Sequence, residues 1–127
     1  MFIDHVAIYV NELEAAKDFF IKYFAAVPGE LYRNEKTGFS SYFLSFKNGA
    51  KLEIMTRPGI EKDEKPFLKS GYAHIAFSLG SKSAVDELTK KLKKDGFEIT
   101  SGPRTTGDGF YESSFIGFEG NLIELTV

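Results

Sequence analysis

Two stretches of this chain open in the same way. His5-Val6-Ala7-Ile8-Tyr9-Val10 is matched by His74-Ile75-Ala76-Phe77-Ser78-Leu79, and these are the only two histidines among 127 residues. An internal repeat of this size constrains the fold more than any local propensity, because each copy must build the same unit. After His5 comes "NELEAAKDFFIKYF", in which Leu13, Ala16, Phe20, Tyr23 and Phe24 recur at helical spacing, with Asn11 placed to cap the helix and Glu14 three residues on. After His74 comes "SKSAVDELTKKLKKDG", in which Ala84, Val85, Leu88 and Leu92 form one stripe and Gly96 is the stop. Three strand-like runs follow each helix: "ELYRNE", "FSSYFLSF" and "KLEIMT", then "FEIT", "FYESSFIGF" and "NLIELTV". Each half therefore reads as β-α-β-β-β, and the fold class is α+β.

The modules span 1–57 and 72–127, and the Pro- and charge-rich stretch at 58–71 reads as a linker within one domain, 1–127. A lone module would have a sheet face with little to cover it, so the two are expected to pack together or to exchange partners with a second chain. The net charge of -2, with both signs mixed along the chain, gives no basic stripe for nucleic acid or an anionic membrane. There is no cysteine, which excludes disulfides, thiolate metal sites and a cysteine nucleophile. Asp4 and Glu12 interrupt the first residues, which do not read as a signal peptide, and no apolar run approaches membrane-spanning length. A cytoplasmic protein with a small-molecule substrate is the expectation.

Period-two alternation assigns side chains to faces. Asp4, Val6, Ile8 and Val10 share one face of the first strand, and His5, Ala7 and Tyr9 share the other. In the second module Ala73, Ile75, Phe77 and Leu79 oppose Tyr72, His74, Ala76 and Ser78. Leu52 and Ile54 oppose Glu53, Met55 and Arg57, while Ile123 and Leu125 oppose Leu122, Glu124 and Thr126. The helices are available to cover the apolar faces. His5 and Glu53 then share the other face of one module, and His74 and Glu124 share that of the other. A strand carboxylate removed from water needs a partner. A single histidine or glutamate of this kind is commonly structural; the recurrence of both at corresponding points of two repeats is what points to a metal. Two imidazoles and two carboxylates suit Zn, Ni, Co, Mn or Fe, one divalent ion per site.

The whole chain resembles the vicinal oxygen chelate superfamily, which includes glyoxalase I, methylmalonyl-CoA epimerase, extradiol dioxygenases, fosfomycin-resistance enzymes and bleomycin-binding proteins. The likeness in "LEIMTRPG", "GYAHIAFSLGS" and "SGPRTTGDGFYES" is nearest to uncharacterised bacterial glyoxalase-like proteins. The resemblance implies a curved, cup-shaped mixed sheet with helices on its outer face, and His5, Glu53, His74 and Glu124 as metal ligands. It also implies a homodimer by family habit, and a ligand order most like that of bacterial glyoxalase I. Tyr9 and Arg57 stand where glutathione-using glyoxalases carry arginine and asparagine.

An ion with two open positions can hold adjacent substrate oxygens and stabilise an enolate. By the resemblance Glu124 is the catalytic base, with Glu53 as its counterpart. Arg57 shares the parity of Glu53 and can fork onto a substrate anion; Tyr9 and Tyr72 share the parity of the histidines. Arg104, Asp108 and Tyr111 are placed to line the mouth, although "GDG" is a hairpin signal in its own right. The remaining phenylalanines are expected in the core. The expected function is a glyoxalase-like lyase, isomerase or epimerase; the alternatives are an Fe(II) ring-cleaving dioxygenase and a metal-free drug- or metabolite-binding protein.

Overall fold

In the computed structural model, which describes residues 4–60, 72–107 and 109–127, each repeat forms its own sheet with one helix against it. The first comprises β1 (His5–Tyr9), α1 (Leu13–Phe24), β2 (Val27–Pro28), β3 (Tyr32–Arg33), β4 (Ser40–Ser45) and β5 (Lys51–Thr56). The second comprises β6 (Ile75–Ser78), α2 (Lys82–Lys94), β7 (Ile99–Thr105), β8 (Tyr111–Ile116) and β9 (Leu122–Thr126), with a 3-10 turn at Phe118–Gly120. The strand orders are β1-β5-β4-β2, with β3 also on β4, and β6-β9-β8-β7. The opening and closing strands of each repeat are parallel neighbours, β1 with β5 and β6 with β9, and the remaining pairs are antiparallel. The chain divides into compact units Met1–Asp63 and Glu64–Val127. Most of the linker expected at 58–71 lies outside the described residues.

The apolar faces read from alternation form the cores. In the first unit Leu52, Ile54, Tyr42 and Leu44 are buried with Ala16, Phe19 and Phe20 of α1; in the second, Ile123, Leu125 and Phe115 are buried with Val85 and Leu92 of α2. Thr89 is buried as well. Its hydroxyl donates to the Val85 carbonyl at 2.6 Å, so the 2.6 Å contact to Ser113 Oγ takes the serine proton.

Three local expectations are corrected. The N-cap of α1 is Glu12, which makes no side-chain capping bond, and Glu14 is engaged by Lys17 and Tyr42 instead of closing a capping box from Asn11. The run "ELYRNE" contributes only Tyr32–Arg33, and the edge begins earlier, at Val27. It splits because Pro28 offers no N–H and the register against β4 slips by one residue, from Pro28↔Leu44 to Tyr32↔Ser41. The strand expected at "FEIT" runs on to Thr105, through two register shifts that accommodate Gly102-Pro103.

A tyrosine ties helix to sheet in each unit. Tyr42 donates to Glu14 Oε1 at 2.8 Å beneath Lys17, and Tyr111 donates to Asp86 Oδ1 at 2.6 Å with Lys82 over its ring. These hydrogen bonds, together with burial, raise both phenol pKa values. The folded state therefore holds these protons more tightly than the unfolded chain. Their stabilisation is full below the ordinary tyrosine value of about 10 and is lost as pH rises through the raised folded values. Denaturant midpoints of wild type should accordingly fall more steeply above pH ~10 than those of a Tyr42→Phe/Tyr111→Phe double variant. Parallel alkaline profiles would reject this role.

Candidate metal centre

On the face of the first sheet opposite α1, the register sets Ala7 beside Glu53 and Glu53 beside Phe43. The alanine methyl is small enough for His5, two residues earlier on β1, to reach diagonally. His5 Nε2 lies 4.0 Å from Glu53 Oε2, and the glutamate side chain is only 15% exposed. His5 Nδ1 meets Asp4 Oδ2 at 3.0 Å, and the ring stands edge-on to Phe43 at 5.2 Å. Lys51, opposite His5, extends to Asp4 Oδ1 at 3.7 Å. The His5 hydrogen bond and then the Lys51 charge hold the Asp4 carboxyl below its ordinary pKa.

The second sheet repeats the arrangement. Ala76 lies beside Glu124, and Glu124 beside Ser114. His74, one residue ahead of β6, brings Nε2 to 3.7 Å from Glu124 Oε2, with the glutamate 21% exposed. The surroundings differ, however. Ser114 stands where the first unit has Phe43, and it shares a 2.8 Å hydrogen bond with Thr100. One pair has an aromatic wall; the other has a hydroxyl pair.

Neither 4.0 nor 3.7 Å is a hydrogen bond. Both fit a shared ion, because two atoms each about 2.1 Å from a metal are at most about 4.2 Å apart, and closing a cis pair takes a shift of about an ångström or less. The mixed nitrogen and oxygen donors suit a borderline or hard divalent cation. Among the described residues, no group of three or more histidine, aspartate or glutamate side chains is arranged to hold a metal. The expected quartet is thus present as two pairs, one in each unit.

The other candidate residues scatter. Tyr9 is on β1 with the parity of His5 and is exposed. Tyr72 is fully exposed ahead of β6, and Arg57 follows β5 on the surface. Arg104 lies on β7 opposite Glu112 and donates from Nε to Ser101 Oγ at 3.0 Å. Asp108 lies outside the described residues. Tyr111 does not line this face; its alternation places it under α2, on Asp86. Sequence reading missed Asp4, Phe43, Ser114 and Thr100. The parity of "FSSYFLSF" sets Phe43 apart from Tyr42 and Leu44, but phenylalanine reads as core, and here it is 37% exposed.

A family model described as the Glyoxalase/Bleomycin resistance protein/Dioxygenase superfamily matches residues 2–125. The chain belongs to that superfamily. An uncharacterised protein of Bacillus subtilis, YqjT, is 26% identical over 117 residues, covering 84% of each chain. The glyoxylase/bleomycin resistance protein/dioxygenase domain from Frankia sp. EAN1pec superposes with a TM-score of 0.83 at 18% identity, over 98% of this chain and 95% of that one. FosX of Listeria monocytogenes, a fosfomycin resistance protein solved with Mn(II) and sulfate, gives 0.74 at 21%, over 98% and 90%. These structures share the superfamily fold with this chain. No helix among the described residues is long and apolar enough to cross a membrane.

Proposed function

We propose that the two His–Glu pairs together hold one divalent metal ion, within one chain or across a homodimer, and that the protein is a glyoxalase-like lyase, isomerase or epimerase of a small oxygenated substrate. The observation that carries this reading is the repetition of the pair. In each unit a strand histidine and a half-buried strand glutamate approach to 4.0 or 3.7 Å on the sheet face that the helix leaves open. A single pair of this kind is commonly structural; its recurrence on the open face of both units is what supports a common ligand. The Mn(II) in FosX, a member of the same fold, supports a metal in this one.

When bound, the ion would polarise a substrate carbonyl and lower the cost of an adjacent carbanion. The chain supplies the rest. A Glu124 carboxylate oxygen takes the proton from the carbon beside the carbonyl and returns it to the neighbouring position or to the opposite face, as general base and then acid. Ser114, opposite Glu124, and Thr100 offer hydroxyl donors to a polar substrate group, while Phe43 offers an apolar wall beside Glu53. Arg57 and Arg104 are the cations we assign to a substrate anion, with Tyr9 and Tyr72 bordering the histidine faces.

The test is metal analysis of protein purified without chelators, alongside His5→Ala and Glu124→Gln. One equivalent of divalent metal per site in wild type, lost in both variants, is the expected result. Folded wild type that stays metal-free when offered Zn, Ni, Co, Mn and Fe(II) would overturn it in favour of a metal-free binding protein.

A further inference from the structure

The two histidines are not held alike. His5 Nδ1 lies 3.0 Å from Asp4 Oδ2, whereas its Nε2 is 4.0 Å from Glu53. A neutral imidazole has one N–H, and it stays where an acceptor is within hydrogen-bond reach. Asp4 is itself fixed: its carbonyl accepts from the Lys51 N–H at 2.9 Å and its other carboxylate oxygen faces Lys51 Nζ at 3.7 Å. Phe43 stands edge-on against the ring at an interplanar angle of 86°. The residue before His74 is Ala73, which has no side-chain acceptor, and the carboxylate near His74 is Glu124, on the Nε2 side at 3.7 Å.

We propose that Asp4 is a positioning residue that keeps His5 in the Nδ1–H tautomer, with the Nε2 lone pair directed to the Glu53 side, so that the first pair is preset for a metal and the second is not. Carboxylates behind ligating histidines act in this way, setting tautomer and ring orientation. The tautomer assignment stands on the metal-free protein alone; its consequence for metal affinity rests on the function proposed above. In metal-free protein His5 is therefore held in one tautomer, whereas His74, with Glu124 at 3.7 Å and so beyond hydrogen-bond distance, is not.

Long-range proton–nitrogen correlation spectra of nitrogen-15 histidine-labelled, chelator-treated protein at alkaline pH test this directly. His5 should give the Nδ1–H pattern, and His74, which follows an alanine, should not be held in that form. Asp4→Ala should shift the His5 tautomer ratio toward Nε2–H by roughly fivefold, the factor equivalent to one net hydrogen bond of about 1 kcal/mol, and should leave His74 unchanged. Asp4→Asn keeps an acceptor oxygen at the same place and should retain the Nδ1–H pattern. Zn(II) affinity, measured by competition with a chromophoric chelator, should fall about tenfold in Asp4→Ala. A wild-type His5 in the Nε2–H form, or an unchanged tautomer in Asp4→Ala, would overturn the proposal whatever the metal result. Conversely, wild type that shows the expected tautomers but takes up no Zn(II) would count against the metal reading and leave the tautomer assignment standing.

Discussion

Replacing Gly102 by alanine should lower the unfolding midpoint more than a methyl added at any other described glycine. Gly102 sits within β7 at φ 74°, inside the second of the two register shifts that carry the strand from Ile99↔Phe115 to Arg104↔Glu112. A Cβ there would stand 2.4 Å from the Glu112 carbonyl oxygen, 3.0 Å from Ser113 Cα and 3.1 Å from the Arg104 nitrogen. All three are backbone atoms of a paired hairpin, so none can retreat without opening the β7–β8 ladder. A left-handed backbone costs a non-glycine residue about 1–2 kcal/mol, and forcing extra volume into a packed site adds about 1–3 kcal/mol. The sum is about 3 kcal/mol, or roughly 12 °C in a domain of this size. Two controls grade the contributions. Gly80 has φ 78° with open space around its Cβ position, so Gly80→Ala should show the backbone contribution alone; Gly107 has neither constraint and should change by less than about 0.5 kcal/mol. Calorimetry of the three variants checks the order, and Gly102→Ala within error of Gly80→Ala would reject the steric part. Because Ser101 and Arg104 flank this glycine and are hydrogen-bonded to each other, the same substitution should also displace Arg104.

Strand parity was legible because its period is fixed at two: Leu52 and Ile54 are buried while Glu53 between them is not, and Ile123, Glu124 and Leu125 repeat the pattern. The order of elements was legible because it occurs twice. Register and diagonal contact were not. That Ala7 and Ala76 flank the two glutamates follows from β1–β5 and β6–β9 pairing, which no single strand encodes. Alternation also misleads at strand ends, where Asp4, nominally on the opposite face from His5, turns to meet its neighbour's ring. Gly-Pro reads as a breaker, yet β7 is an edge strand, and edges accept proline and bulges that central strands refuse. Phe43 escaped notice because hydrophobicity assigns phenylalanine to the interior, whereas an aromatic side chain beside a half-buried imidazole–carboxylate pair is also what a ligand pocket requires.

The second large effect expected is a reversal in the order of stability on adding metal. Glu53 and Glu124 are largely withdrawn from water on the open sheet faces, each with a histidine too far for a hydrogen bond. Without metal, the desolvation of such a carboxylate offsets most of what its polar contacts contribute. Glu124→Gln, which keeps the shape and removes the charge, should therefore unfold at the same temperature as chelator-treated wild type or slightly above it. With Zn(II) at a thousandfold excess over its dissociation constant, an ion bound only by the folded state adds about 4 kcal/mol, or roughly 15 °C. Wild type should gain that shift, while Glu124→Gln and His74→Ala should lose most of it, leaving Glu124→Gln below wild type. A purely structural glutamate predicts the same order with and without metal, so the crossing separates a ligand from a strut without knowledge of the substrate. Thermal unfolding of the three proteins in chelator and in Zn(II) decides the matter; curves that keep one order in both conditions would remove Glu124 from the metal and from the chemistry assigned to it.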